Sequence, residues 1–149
     1  MSAHRHRAHI DAPLEVVWEL VGNPPRYPEW WPRVIDVKGE RFEEGDEYAQ
    51  VTKSPFGSAQ HTNFLLDRRD DLRGLRMTCM KSGAYVDWNL TEALGGTFVE
   101  LEMGIDAKHV ADRIFDTVTR GVYFRRWSEQ SLDALDRAAR TETPQKAES

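Results

Sequence analysis

His4, His6 and His9 crowd the N-terminus, the densest group of side chains able to bind a metal or carry a proton near neutral pH. On an extended segment His4 and His6 share a face and His9 takes the other. Two imidazoles near a chain end, with no third ligand beside them, make no metal site, and no metal or other cofactor is expected. His61 and His109 stand apart, without a His-Glu-x-x-His pattern. Further along, Gly121, Arg125 and Ser128 interrupt an apolar helical stripe. Either Arg125 and Ser128 orient a molecule held in a gap beneath the helix, or Arg125 carries its charge out to solvent along its own aliphatic stem. The single Cys79 falls on an apolar row, where a small buried thiol is ordinary packing. One cysteine excludes an intrachain disulfide and a Cys-rich zinc cluster, and suits a reducing compartment. No Gly-x-Ser-x-Gly elbow occurs, and Gly83, Gly95 and Gly96 sit at turns with no helix directly after them, so they form no phosphate loop.

The elements that must hold these residues follow from periodicity. Residues 4–10 read as a strand with His6, Ala8 and Ile10 on one face. Asp11-Ala12-Pro13 opens a helix, with Asp11 or Ala12 at the cap and Pro13 in the first turn, where no N–H is needed. Val16, Val17, Leu20 and Val21 follow at helical spacing beside Trp18, and Gly22-Asn23-Pro24-Pro25 ends the helix. A short second helix carries Tyr27, Trp30 and Trp31 and stops at Pro32. From Val34 to Ile105 the period becomes two, with strands over 34–40, 47–53, 58–67, 75–80, 85–92 and 97–105. Turn residues at each joint make these antiparallel neighbours and leave no room for a parallel crossover. Arg68-Arg69 beside Asp70-Asp71 reads as a solvated turn. Over 109–140 the period returns to 3.6, with Val110, Ile114, Val118, Gly121, Arg125, Ser128, Leu132, Leu135 and Ala139 on one stripe.

Each strand has one apolar row: Phe64 with Leu66, Leu75 with Met77 and Cys79, Val86 with Trp88 and Leu90, Val99 with Leu101, Met103 and Ile105. Asp87, Asn89, Thr91, Glu100 and Glu102 take the opposite face, so one face is wet and the other must be covered. The fold class expected is α+β, a curled antiparallel sheet of about seven strands in the order β-α-α-β6-α, wrapped around the long C-terminal helix. A gap remains where curled sheet and straight helix diverge. Its expected lining is Trp88, Phe64, Met77, Val99 and Leu101 from the sheet, and Val118, Gly121, Arg125 and Ser128 from the helix. Parity also turns Tyr48, Gln50 and Thr62 inward, and His61 if a bulge shifts it. Tyr123 and Trp127, i,i+4 on the back of the stripe, either cover a neighbouring element or form a homodimer contact.

At 149 residues the chain has one domain's length, and its 40% apolar content and five tryptophans suffice for a core. The domain is expected over 1–140, with 141–149 a disordered tail that lacks large apolar side chains. A net charge of −5 gives no support for nucleic-acid binding. No apolar run approaches the roughly 18 residues that a membrane helix needs, so no membrane insertion is expected. His4-Arg5-His6-Arg7 is basic but no apolar run follows it, which makes the cytoplasm the expected location.

The run Ile10-Asp11-Ala12-Pro13-Leu14-Glu15-Val16-Val17-Trp18, then Tyr27-Pro28-Glu29-Trp30-Trp31-Pro32 and Phe42-Glu43-Glu44-Gly45-Asp46, resembles the polyketide cyclase/dehydrase proteins. These belong to the START-like superfamily, also called SRPBCC or birch-pollen-allergen-like. The resemblance covers nearly the whole chain and implies a helix-grip fold with a deep apolar cavity. Members bind lipids, sterols, polyketides or plant hormones, some cyclise or aromatise polyketide chains, and others act as carriers, sensors or partners of larger assemblies. No catalytic residue carries across, and fold analogy does not choose among these activities. The expected function is binding or transport of a hydrophobic small molecule, lipid or polyketide-like. One alternative is a polyketide cyclase/dehydratase in the same cavity, for which Arg, Tyr and His side chains can stabilise an enol and move a proton. Another is a protein-interaction module with a closed cavity, using the Tyr123/Trp127 face.

Overall fold

The computed structural model describes residues 3–53, 57–105 and 114–143, with side chains of the last stretch described from residue 124 onward. The elements run β1 (His4–Ile10), α1 (Leu14–Val21), a 3-10 turn (Pro24–Arg26), α2 (Tyr27–Trp30), β2 (Val34–Lys38), β3 (Glu47–Lys53), β4 (Ala59–Asp70), β5 (Gly74–Cys79), β6 (Ala84–Ala93), β7 (Gly96–Ile105) and α3 (Ile114–Glu142). All pairings are antiparallel in one seven-stranded sheet, ordered β1-β7-β6-β5-β4-β3-β2. β1 and β2 are the two edges, so α1 and α2 carry the chain from one edge to the other across an end of the sheet. This is the expected α+β helix-grip architecture.

Register aligns the apolar rows into layers. Leu75 faces Trp88, Trp88 faces Leu101, and Leu101 faces His6. The next layer joins Leu66, Met77, Val86, Met103 and His4 in the same way. These apolar side chains are almost wholly buried, and each contributes roughly 1.5–3 kcal/mol by leaving water. Gly74 permits the tight start of β5, because a Cβ there would meet the Trp88 carbonyl oxygen at 2.3 Å. The outer face carries the expected polar row, as cross-strand pairs: Arg7 to Glu100 at 2.7 Å, Arg5 to Glu102 at 2.6 Å and Arg68 to Asp87 at 2.5 Å.

Several local expectations need correction. α1 starts at Leu14 with Pro13 as its cap residue, and no side chain caps it; the Pro13 carbonyl accepts from Val16 and Val17. β4 runs to Asp70, and its register shifts between Leu66 and Arg68. The bulge reverses parity, so Arg69 comes to lie opposite Leu75, which belongs to the inner row. Arg69 is therefore no solvated turn residue. Its Nη1 donates to the carbonyls of Gly22 at 2.8 Å and Phe42 at 3.0 Å, and its guanidinium lies 5.3 Å from the Trp18 ring centre. A cation on the last carbonyls of α1 is well placed for the helix dipole.

α3 packs against β1, β7, α1 and α2. Its buried stripe reads Phe124, Trp127, Ser128, Ser131, Leu132, Leu135 and Ala139. Arg125 is exposed, as is Arg126. Positions three and four after Gly121 both suit an inward stripe, and the apolar Phe124 takes the inside while the charge stays in water. Helix continues through Thr141 and Glu142, which the expected tail included; Glu142 pairs with Arg26 and Thr141 bonds back to the Arg137 carbonyl. The rest of that tail, 144–149, lies outside the described residues, as do Val110 and His109.

Candidate functional site

The inner face of the sheet beneath α3 is an apolar surface with a few polar atoms set into it. Alternation along β1 places His4, His6, Ala8 and Ile10 on that face. The same alternation turns Tyr48 and Gln50 inward from β3, both buried, and Thr62, half-buried, from β4. His61 stays exposed on the outer face, since β3 and β4 pair without a shift around it.

Aromatic side chains occupy the end of this space nearest α2. Trp31 stacks on Trp127 with ring centres 5.5 Å apart and meets Trp88 edge-on at 5.4 Å, while Trp30 stacks on Trp31 at 5.7 Å. Hydrogen bonds fix the cluster. Trp127 Nε1 donates to the Pro32 carbonyl at 2.6 Å, Trp31 Nε1 donates to Ser131 Oγ at 2.7 Å, and Ser131 Oγ donates to the Trp127 carbonyl at 2.5 Å. Tyr27 O–H closes the end by donating to the Val21 carbonyl at 2.6 Å. Trp127 is thus turned inward against α2, and packing accounts for it.

Among the described residues, five buried side-chain atoms have no hydrogen-bond partner: His6 Nδ1, Trp30 Nε1, Gln50 Oε1, Trp88 Nε1 and Ser128 Oγ. Trp30, Gln50, Trp88 and Ser128 are buried side chains, whereas that of His6 is 24% exposed. The His6 ring is held from its other side, with Nε2 3.7 Å from Glu129 Oε1 on α3. Burial, then the charges of His6 and Arg125, lowers the pKa of His4 below the usual histidine value. Burial raises the Tyr48 pKa far above the ordinary phenol range, so its hydroxyl stays neutral and donates to Met77 Sδ at 3.0 Å. Among the described residues no three potential metal ligands converge.

The structure brings together most of the residues expected to line a gap. Trp88, Met77, Val99 and Leu101 are fully buried on the inner face and Phe64 nearly so, and Ser128 is fully buried on α3. Arg125 does not join them in the interior, although its charge reaches His4 at the rim. The side chains of Val118, Gly121 and Tyr123 lie outside the described residues. Sequence reasoning missed His6 as a site residue, though its alternation with Ala8 and Ile10 was the available signal. It also missed Phe124 and the Trp31–Ser131 bond, which joins segments a hundred residues apart. Depressions at the surface share residues with this interior, Gln50 and Thr62 bordering one and Trp30 the other. One of about 270 Å³ lies on the outer face by Asp36, Lys38, His61 and Asn63, and one of about 390 Å³ lies over Leu20, Trp30, Ala134 and Ala138 between α1, α2 and the end of α3.

Known proteins with this architecture are numerous. Protein NE0264 from Nitrosomonas europaea superposes with a TM-score of 0.74 at 14% identity, over 94% of this chain and 95% of its own. The di-domain aromatase/cyclase StfQ of the steffimycin biosynthetic pathway gives 0.71 at 16% identity, over 94% of this chain and 51% of that one, so this chain matches about half of it. An AHSA1-like protein from Aeromonas hydrophila gives 0.66 at 16% identity, over 93% and 92%. Identities this low establish the shared fold alone. No curated protein matches the sequence. No helix among the described residues is long and apolar enough to cross a membrane. Residues 2–140 match the family described as polyketide cyclase / dehydrase and lipid transport, and with nearly its whole length matched the chain belongs to that family.

Proposed function

We propose that this protein binds a hydrophobic small molecule, lipid or polyketide-like, between the inner face of its sheet and α3. The observation that carries this reading is the set of unpartnered polar atoms, Trp88 Nε1, Ser128 Oγ, His6 Nδ1 and Gln50 Oε1, on an otherwise apolar buried surface. A surface meant only to pack would do better with apolar groups at those positions. A few oriented polar atoms among apolar walls are what a small-molecule site requires. Family membership and the likeness to a domain of StfQ agree with such a ligand. Equilibrium dialysis against fluorene, a rigid neutral hydrocarbon, tests it: saturable one-to-one uptake is expected, and uptake no greater than that of a heat-denatured sample overturns it. Native mass spectrometry of freshly purified protein should also show an apolar adduct that organic extraction removes.

Cyclisation or dehydration of a similar molecule is the second reading. Exposure of Arg125 withdraws the guanidinium from the inside, while His4, His6 and Tyr48 are groups on the inner face able to hold or move a proton. Turnover of a poly-β-keto substrate that disappears in His6→Phe would favour this reading over simple carriage.

A further inference from the structure

The depression of about 390 Å³ between α1, α2 and the end of α3 has the size of a small-molecule site. Its floor is apolar: Leu20, Trp30, Ala134 and Ala138. Ala134, Arg137, Ala138 and Thr141 recur at helical spacing on one face of α3, and the two alanines leave open the space that larger side chains would fill. The rim carries two arginines and two glutamates, and these are unequally engaged. Arg26 donates to Glu29 at 3.2 and 3.3 Å and to both carboxylate oxygens of Glu142. The Thr141 hydroxyl donates to the Arg137 carbonyl at 2.8 Å. The Arg137 guanidinium is exposed and has no ion pair or hydrogen bond among the described residues. Trp30 is only 9% exposed, and its indole N–H has no acceptor. Both unsatisfied groups bordering the depression are therefore donors unable to accept, and one is a cation. A neutral hydrocarbon would cover the floor and leave both unmet. An ammonium would meet Arg137 with like charge. A carboxylate supplies acceptor oxygens and the opposite charge, and the apolar body attached to it can cover the floor.

We propose that this depression is a second binding site, for a small apolar carboxylate whose body lies on Leu20, Trp30, Ala134 and Ala138 and whose anionic head pairs with Arg137. It does not depend on binding beneath the sheet. Its test is an NMR titration of isotope-labelled protein with 2-naphthoate, which should give saturable shifts of the Trp30 indole N–H and of the Ala134 and Ala138 amides. Naphthylmethylammonium is the sharpest control, because the carbonyl ends of α1 and α3 at this corner attract a cation. Naphthoate should bind about tenfold tighter than the ammonium, and Arg137→Gln should weaken naphthoate about fivefold without weakening the ammonium. Ala138→Phe fills the depression and should abolish the naphthoate shifts, while fluorene uptake in dialysis stays within about twofold of wild type. The site is overturned by any of four results: no saturable naphthoate shifts in wild type, an ammonium that binds as tightly, full naphthoate affinity in Arg137→Gln, or naphthoate binding that survives Ala138→Phe. Failure of wild type to take up fluorene overturns the interior reading and leaves this site standing on the naphthoate results. Circular dichroism checks the fold of each variant, and the exposed Arg137→Gln carries the test by itself if Ala138→Phe does not fold.

Discussion

Two buried serines three residues apart on α3 should respond to the same substitution with opposite signs. Ser131 Oγ accepts the Trp31 indole N–H at 2.7 Å and donates to the Trp127 carbonyl, all inside the core. Ser131→Ala leaves that indole N–H without an acceptor, at a cost of about 1–3 kcal/mol. Alanine's better helix propensity returns roughly 0.5 kcal/mol, for a net loss of about 1–2 kcal/mol. Ser128 is equally buried, but its hydroxyl has no partner. Ser128→Ala removes a desolvated, unbonded group and gains the same helical increment, a net stabilisation of about 1–2 kcal/mol. The variants should therefore differ by about 3 kcal/mol, or roughly 6–12 °C in Tm for a chain of this size. Thermal melts and urea titrations of ligand-free protein measure it, with an unchanged m-value showing that the denatured state is not involved. If both substitutions lower stability, or their effects agree within about 0.5 kcal/mol, the assignment of one serine as bonded and the other as vacant is wrong. A stabilising Ser128→Ala that also weakens ligand binding would mean that stability is given up at this position for recognition.

Tyr27→Phe deletes only the hydroxyl that serves the Val21 carbonyl at the end of α1, in a fully buried setting. Its expected cost is about 1–2 kcal/mol, read as a Tm lower by roughly 3–6 °C. The Tyr85 hydrogen bond, then Arg5, pulls the Glu102 carboxyl below its ordinary value of 4.5, against the opposing effect of burial. A depressed folded-state value means stabilisation present in full above that ordinary value and lost as pH falls through the lower one. Glu102→Gln should therefore be less stable than wild type at about pH 7, with the gap closing in urea titrations as the pH falls below the ordinary carboxylate range and Glu102 takes up its proton.

Alternation was the strongest signal in this sequence, and strand content followed from it. Val86, Trp88 and Leu90, or Val99, Leu101 and Met103, name their buried face directly, because one face of the sheet is wet and the other covered. What alternation cannot register is an inserted residue. The bulge between Leu66 and Arg68 turns Arg69 from an apparent surface charge into a ligand for the end of α1. On α3 the difficulty was angular: positions 124 and 125 both suit the stripe by spacing, and only the apolar character of Phe124 decides between them. His6 was placed on the correct face but set aside, since two histidines at a terminus invite a metal and hide the plainer fact of a polar ring among buried apolar neighbours. The tie between Trp31 and Ser131 spans a sequence distance over which periodicity carries no information.

Four indoles, those of Trp30, Trp31, Trp88 and Trp127, form a continuous network with neighbouring centres 5.4 to 6.0 Å apart. At that range they share excitation, so ultraviolet emission belongs to the group and not to any one ring. Their excitons should give a paired signal in circular dichroism that persists only while the short helix is seated on the long one, an optical report on that junction with no label attached.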